Sequence, residues 1–297
     1  MRAAAVFGLG CSAKDLKPFQ SDKNCQRNNQ ATEWRIGMPA ASEQADVVLL
    51  FGGDGTVHRH LEQLVRLGIP VLVVPAGSGN DFARALGLRS ARDSLAAWWK
   101  FCTAAANVRR IDLGVIATRE LGARYFCCVA GVGLDAEVAR RANAFPRWLR
   151  GHGGYALSLL PAIFRFAPFP MKIRTRSHDE GKASGEKIEW IVRSDRPTML
   201  AAFANTPVYG GGMRIAPQAK MDDGQLDVCV IGKMDPFKLA CLFPTVTLAS
   251  TWESEKWNIS KPPASGSRPT RRSTSTLTAN TCAVRQYRSE CSRGRCG

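Results

Sequence analysis

Two short apolar runs, Val47 to Leu50 and Val71 to Val74, each lead into a glycine-rich loop and then into a helical pattern. This repeated unit constrains the fold more than any other feature. Continuous Val/Leu runs without polar alternation mark strands buried on both faces, the habit of parallel sheets whose connections are helices. A loop at the carboxyl end of such a strand lies on the edge where open α/β sheets bind ligands. The first loop is Phe51 to Thr56 (FGGDGT) and the second is Pro75 to Arg84 (PAGSGNDFAR). Gly52, Gly53 and Gly55 let the backbone take positive φ and let an anion approach without meeting a Cβ, while the N–H groups opening the next helix point at it. A Gly-Gly-Asp-Gly stretch is also a plausible tight turn, so one loop alone leaves phosphate binding and turn formation both open. The second loop, with Ser78, Gly79, Asn80 and Asp81 at the expected helix start, adds a convergent site on the adjacent strand.

The remaining pattern divides the chain in two. At 297 residues, 45% hydrophobic and 22% charged, it has ordinary globular composition and enough length for two cores. The first domain, residues 1–115, alternates strands and helices. Met1 to Cys11 reads as the first strand and its loop, too short for a secretory leader, with Cys11 as a lipidation site the rival reading. Val57, Leu61, Leu64 and Val65 share one helical face. Arg92 to Cys102 is a second helix in which Trp98 and Trp99 pack in the core rather than stack on a ligand. Val108 to Leu113 is the strand leaving the domain.

From Arg124 onward strand-like runs dominate: Tyr125 to Ala130, Met171 to Thr175, Ile188 to Val192, Leu200 to Ala204 and Leu226 to Ile231, with His178 to Glu186 a polar hairpin tip. The expected fold is therefore a layered parallel α/β domain followed by a mainly antiparallel, β-sandwich-like second domain, residues 116–251, with a helical insertion at 136–169. That insertion carries Arg140, Arg141, Phe145, Arg147, Trp148, Arg150, Phe164 and Phe166. It is either a surface that touches an anionic membrane or a cationic helix with buried aromatics. No stretch approaches the roughly 18 to 20 apolar residues of a membrane span. The best candidate, Tyr155 to Phe169, is interrupted by Pro161, Arg165 and Pro168. Ten cysteines without metal-like pairing, the adjacent Cys127 and Cys128 facing opposite sides of a strand, point to a reducing cytoplasm.

The two loops together resemble the diacylglycerol kinase catalytic-domain family of bacterial lipid kinases and sphingosine kinases. The first loop is shared with NAD kinases and phosphofructokinases; the Asn-Asp-Phe-Ala of the second is more specific. Val132 to Ala136, Asn205 to Met213, Ala216 to Ala219 and Asp222 to Asp227 resemble the second domain of that family, so the likeness runs from about residue 45 to 235. It implies an ATP-dependent kinase that phosphorylates diacylglycerol or a similar lipid alcohol, with other acceptors on the same scaffold, namely a sphingoid base, phosphatidylglycerol or NAD, as alternatives. By the same resemblance Gly52, Gly53, Asp54, Gly55, Thr56, Val57 and His58 line the nucleotide phosphates, Ser78 is a further nucleotide contact, and Asp54 lies near the metal–phosphate centre. Gly79, Asn80 and Asp81 shape the cleft and acceptor site, helix capping being the competing role of Asn80 and Asp81. Asp223 resembles a structural Mg²⁺ ligand, with backbone oxygens near Lys220 and Gln225 completing the site; an Asp-Gly hairpin turn is the competing role. The implied cofactors are ATP and Mg²⁺. The implied partner is a lipid substrate reached at the inner membrane face by a cytoplasmic protein, with no nucleic acid.

One part of the family pattern is missing. The general base of these kinases is a Glu in a late Asp-Gly-Glu motif, and nothing after Asp235 contains it. From about Trp252 the chain loses all period, and residues 256–297 carry nine Lys/Arg against one acidic residue, half of the net charge of +16. Read plainly, 252–297 is a disordered basic tail that binds nucleic acid or anionic lipid, on a catalytically silent nucleotide- or membrane-binding protein. Joining the last base of each codon to the first two of the next, however, permits Lys256 to Arg285 to read VEYFQASRVRIETDPPLDVYADGEYVCRT. That string alternates apolar and polar residues and contains Asp-Gly-Glu, its Glu codon straddling Ala279 and Asn280. The final Ser292 to Gly297 similarly permits PGALR. A change of reading frame between about Thr245 and Lys256 accounts for both.

Overall fold

The computed structural model of the chain describes residues 1–21, 32–104, 107–118, 122–145, 154–176, 190–241, 255–257 and 282–288. Two units are present, Met1–Arg110 and a second from Ile111 to Arg288.

In the first unit the elements are β1 (Arg2–Phe7), α1 (Ala13–Gln20), β2 (Glu33–Ile36), β3 (Val47–Gly52), α2 (Asp54–Leu67), β4 (Val71–Pro75), α3 (Asp81–Ala85) and α4 (Ala91–Ala104). The strands form one parallel sheet in the order β2-β1-β3-β4. β3, the most apolar run in the sequence, is buried along its whole length. Alternate residues Ala3, Ala5, Val47, Leu49, Phe51 and Val74 join Leu16 and Phe19 of α1 and Trp98 of α4 in one core. Trp98 is fully buried and Trp99 is 37% exposed, so only the first of the two tryptophans has the core role expected of both. On α2, Val57, Leu61, Leu64 and Leu67 are buried; at about 1.5–3 kcal/mol for each large apolar side chain removed from water, that face anchors the helix. α2 ends at Gly68 in the left-handed conformation (φ 62°), its N–H bonded to the Leu64 carbonyl.

The second unit contains β5 (Asp112–Thr118), β6 (Gly122–Phe126), β7 (Val129–Gly133), α5 (Leu134–Ala144), α6 (Gly154–Arg165), β8 (Phe169–Arg176), β9 (Trp190–Ala204), β10 (Leu226–Gly232), β11 (Glu255–Trp257) and β12 (Cys282–Arg288). A five-stranded sheet runs β11-β10-β9-β7 with β8 also paired to β9; a three-stranded sheet runs β12-β5-β6. All of these pairings are antiparallel. The expected sequence of a parallel α/β unit and an antiparallel one is what the chain forms.

Four expected strands are redrawn. Tyr125 to Ala130 is two strands, because the chain passes from the three-stranded sheet to the five-stranded one at Cys127 and Cys128. The described part of the run expected at Ile188 to Val192, residues 190–192, and Leu200 to Ala204 belong to one strand, β9, whose first half pairs with β8 and whose second half pairs with β7 and β10. Pro197 does not break it: it lies opposite Pro170 in the pairing with β8, and the pairing with β10 shifts register between Thr198 and Leu200. The strand expected at Val108 to Leu113 begins at Asp112 and belongs to the second unit. The hairpin tip at His178 to Glu186 lies outside the described residues. Among the described cysteines Cys11, Cys127, Cys128, Cys229 and Cys241 are free thiols. Cys102 is disulfide-bonded, against the expectation of reduced thiols throughout; such pairing depends on tertiary proximity that spacing does not reveal.

Candidate functional site

The carboxyl ends of β1, β3 and β4 bring three loops to one edge of the parallel sheet. Backbone bonds tie them in sequence: Gly8 N donates to the Phe51 carbonyl at 2.7 Å, and Ala76 N to the Gly52 carbonyl at 3.1 Å. The two glycine-rich loops touch. A Cβ on Gly53 would stand 2.8 Å from the Cα of Gly77, and one on Gly77 would stand 2.5 Å from the Cα of Gly53. None of Gly52, Gly53 and Gly55 has positive φ, so the first loop does not use the conformational freedom expected of it. Its first two glycines are required for space: Gly53 against Gly77, and Gly52 against the Thr56 side chain.

Asp54 holds the second loop. Its Oδ2 accepts the backbone N–H of Asp81 and its Oδ1 that of Phe82, both at 3.0 Å. It therefore supplies from another loop the cap that α3 lacks locally, because Asn80, the N-cap residue, makes no side-chain cap bond. The Asn80 side chain instead closes its own loop, Oδ1 accepting from Gly77 N at 2.9 Å and Nδ2 donating to the Gly77 carbonyl at 2.6 Å. Asn80 sits in the left-handed region (φ 55°), among the residues that tolerate it best. The buried Asp81 accepts from Arg84 Nη1 at 2.6 Å. Capping by Asn80 and Asp81 is thus replaced by capping through Asp54.

The other expected phosphate-lining positions separate by exposure. Gly55, His58 and Ser78 are exposed, Thr56 is half-buried, and Val57 is buried with its N–H bonded to the Gly53 carbonyl. Val57 therefore offers a ligand neither side chain nor donor; it belongs to the core. A Cβ on Gly55 would meet nothing within 4 Å, so no protein atom demands glycine there. Farther along α2, burial and the neighbouring Arg59 hold the His60 imidazole below its usual pKa. Gly8 is a residue that sequence reasoning missed: a Cβ there would collide with the Thr56 hydroxyl. The signal in the sequence is the Gly-Leu-Gly stretch that follows the first strand.

In the second unit the expected metal position forms a turn. Asp223 Oδ1 accepts from Gln225 N at 3.1 Å, and Gly224 has φ 74°. Asp112, which had been only a strand position, fixes this turn through Gly224 N to Oδ2 at 2.7 Å. Fully buried Asn205 donates from Nδ2 to the carbonyls of Asp112 (2.8 Å) and Cys127 (3.0 Å), and its own N donates to the Cys128 carbonyl at 2.8 Å. Asp135 Oδ1 accepts from the Tyr209 hydroxyl at 2.9 Å. The motifs of this unit thus fasten its strands and its 221–225 turn. One carboxylate with neighbouring backbone carbonyls is a hard-oxygen set of the kind Mg²⁺ accepts alongside its own waters, so the residues fit the ion. Among the described residues no three His, Cys, Asp or Glu side chains cluster at metal-holding distance.

Part of the insertion lies among the described residues. Arg140 and Arg141 both bind Glu137, at 2.8 and 2.6 Å, and hold its carboxyl at about 2. Phe166 packs against the core of the second unit, while Phe164 is 49% exposed. Arg147, Trp148 and Arg150 lie outside the described residues. No described helix is long and apolar enough to cross a membrane.

Residues 14–116 match the family model of the diacylglycerol kinase catalytic domain, and residues 128–257 match that of the YegS C-terminal NAD kinase beta sandwich-like domain. A diacylglycerol kinase of Mycobacterium tuberculosis is 34% identical over 212 residues, covering 70% of this chain and 62% of the relative. A YegS-like lipid kinase of Chromohalobacter salexigens is 30% identical over 203 residues, covering 66% and 57%. The match thus spans less than two thirds of the length of either relative. The crystal structure of a diacylglycerol kinase from Bacillus anthracis shares the fold, with a TM-score of 0.56 over 97% of this chain and 94% of that one at 18% identity.

Proposed function

The chain belongs to the bacterial diacylglycerol and lipid kinase family, and on that premise we propose that it transfers the γ-phosphate of ATP to the hydroxyl of diacylglycerol or a similar lipid alcohol. The observation that carries this reading is the junction of two glycine-rich loops on adjacent parallel strands, closed at Gly53 and Gly77 and pinned by Asp54. Phosphoryl transfer needs little covalent chemistry from the protein; it needs a phosphate cradle and charge neutralisation. The opening N–H groups of α2 and the unobstructed space over Gly55 suit the cradle. Asp54 acts by holding the second loop in register, which the two 3.0 Å bonds support better than a role as a bare metal ligand. A Mg²⁺ ion at Asp223 and the backbone oxygens near Lys220 and Gln225 would neutralise charge and stiffen the 221–225 turn.

The absent Asp-Gly-Glu favours a second reading for the chain as it stands: nucleotide binding without turnover. The change of reading frame reconciles the two. The match to the second family domain ends at residue 257, beside Lys256, where the shifted reading begins. Codons of the gene decide this directly, since bases between Lys256 and Arg285 that cannot spell the shifted string exclude it. The enzymatic test uses γ-labelled ATP with diacylglycerol, a sphingoid base and phosphatidylglycerol in detergent micelles. The chain as written is expected to bind nucleotide and transfer little; the frame-restored chain is expected to label a lipid. A folded, restored chain that labels none of them refutes the kinase reading.

A further inference from the structure

α6 is apolar on both of its faces. Leu159, Ala162 and Ile163 are buried at 5, 0 and 0% exposure and pack with Leu134, Val138, Met199 and Leu200. On the opposite side Leu157, Leu160 and Phe164, at i, i+3 and i+7, remain 57, 53 and 49% exposed. The stripe continues onto helical residues 236–241 through Phe237, 70% exposed, whose ring meets Phe164 edge to face with centroids 5.1 Å apart. Helices apolar on every side are normally enclosed, and a connected exposed patch of this kind marks a surface that something covers.

The charges around the stripe identify what covers it. Arg165 ends α6 and Lys238 follows Phe237; both are exposed, and neither side chain makes an ion pair among the described residues. Asp235, the acidic residue nearest in sequence to Phe237, has its Oδ1 occupied by the N–H groups of Phe237 and Lys238. Arg140 and Arg141, the other cations of the insertion, share the single carboxylate of Glu137, which offsets one of their two charges. The surface is therefore an apolar helical face whose rim carries two cations that make no ion pair among the described residues. Leu and Phe directed outward beside Arg and Lys suit the boundary between headgroups and acyl chains of an anionic bilayer.

We propose that Leu157, Leu160, Phe164 and Phe237 form the membrane-docking face, inserting into an anionic bilayer while Arg165 and Lys238 meet its headgroups. This deepens the lipid-kinase reading and rests on it for the biological source of the bilayer. The vesicle measurement does not depend on turnover. Co-sedimentation is compared on vesicles of phosphatidylcholine alone and of phosphatidylcholine with phosphatidylglycerol, with ATP-analogue binding and thermal melting followed in parallel. The variant F164S/F237S is expected to lose at least about tenfold in partition on both vesicles while melting and binding nucleotide as the parent does. R165E/K238E is expected to lose partition only on the anionic vesicles, and Arg140→Gln to change neither. A parent chain that ignores both vesicles, or an F164S/F237S variant that partitions as the parent does, overturns the proposal. So does a parent dimer that F164S/F237S dissolves without loss of partition, which would assign the face to a second copy of the chain. Failure of nucleotide binding alone counts against the kinase reading and leaves the docking face standing.

Discussion

Asp54 and Gly55 are neighbours with opposite reasons for their identity. Asp54 is fixed by the protein, because its two oxygens accept two backbone N–H groups of the second loop. Charged hydrogen bonds of this kind contribute about 1.5–3 kcal/mol each. Asp54→Ala should lower the melting temperature and weaken nucleotide binding at least about tenfold, with Asp54→Asn intermediate because it keeps only one acceptor oxygen. An Asp54→Ala protein that melts and binds as the parent does would contradict the role. Gly55 is free of protein contacts: an added methyl meets nothing within 4 Å. Gly55→Ala should therefore leave stability unchanged or raise it by about 0.5–1 kcal/mol, and should lower nucleotide affinity if the space belongs to a phosphate. Gly53→Ala, facing the Gly77 backbone, should instead destabilise by about 1–3 kcal/mol. Calorimetry and titration with an ATP analogue separate these outcomes; unchanged affinity in Gly55→Ala would leave the first loop as a turn.

At the scale of elements, α2 and β3 were legible in the sequence because a single physical requirement governs each: 3.6-residue burial on one, burial on both faces of the other. The loops were legible as loops. Their junction was not, because the approach of Gly53 to Gly77 and the capping of α3 by a residue 27 positions earlier are tertiary facts without a local signal. β9 differs from its expected division for a related reason, since Pro197 faces another proline on β8 and lies next to a register shift in the pairing with β10, where its missing donor costs less than inside a regular ladder. Asn205 shows how much one buried polar residue can organise, fastening β5 to the Cys127–Cys128 crossover. Asn205→Ala strips a donor from two buried carbonyls, and at about 1–3 kcal/mol for each it should shift the urea midpoint sharply downward. A midpoint equal to that of the parent would show that relaxation or water replaces both bonds.

For the whole molecule, sequence and structure agree on a parallel nucleotide-type unit and an antiparallel unit, and both carry the family's features up to residue 257. The described part of the chain holds a loop junction, a turn at Asp223 and an exposed apolar face on α6. In the proposed reading, the Glu that would take the lipid hydroxyl's proton is encoded out of frame across Ala279 and Asn280. We propose on these grounds that the gene specifies an ATP-dependent lipid kinase whose final strands are read out of frame here. Transfer of label from γ-labelled ATP to diacylglycerol micelles by the frame-restored chain, beside the chain as written, tests it most directly. The account predicts labelled lipid from the restored chain and almost none from the chain as written. A restored chain that melts cooperatively and binds nucleotide but labels no lipid would contradict it.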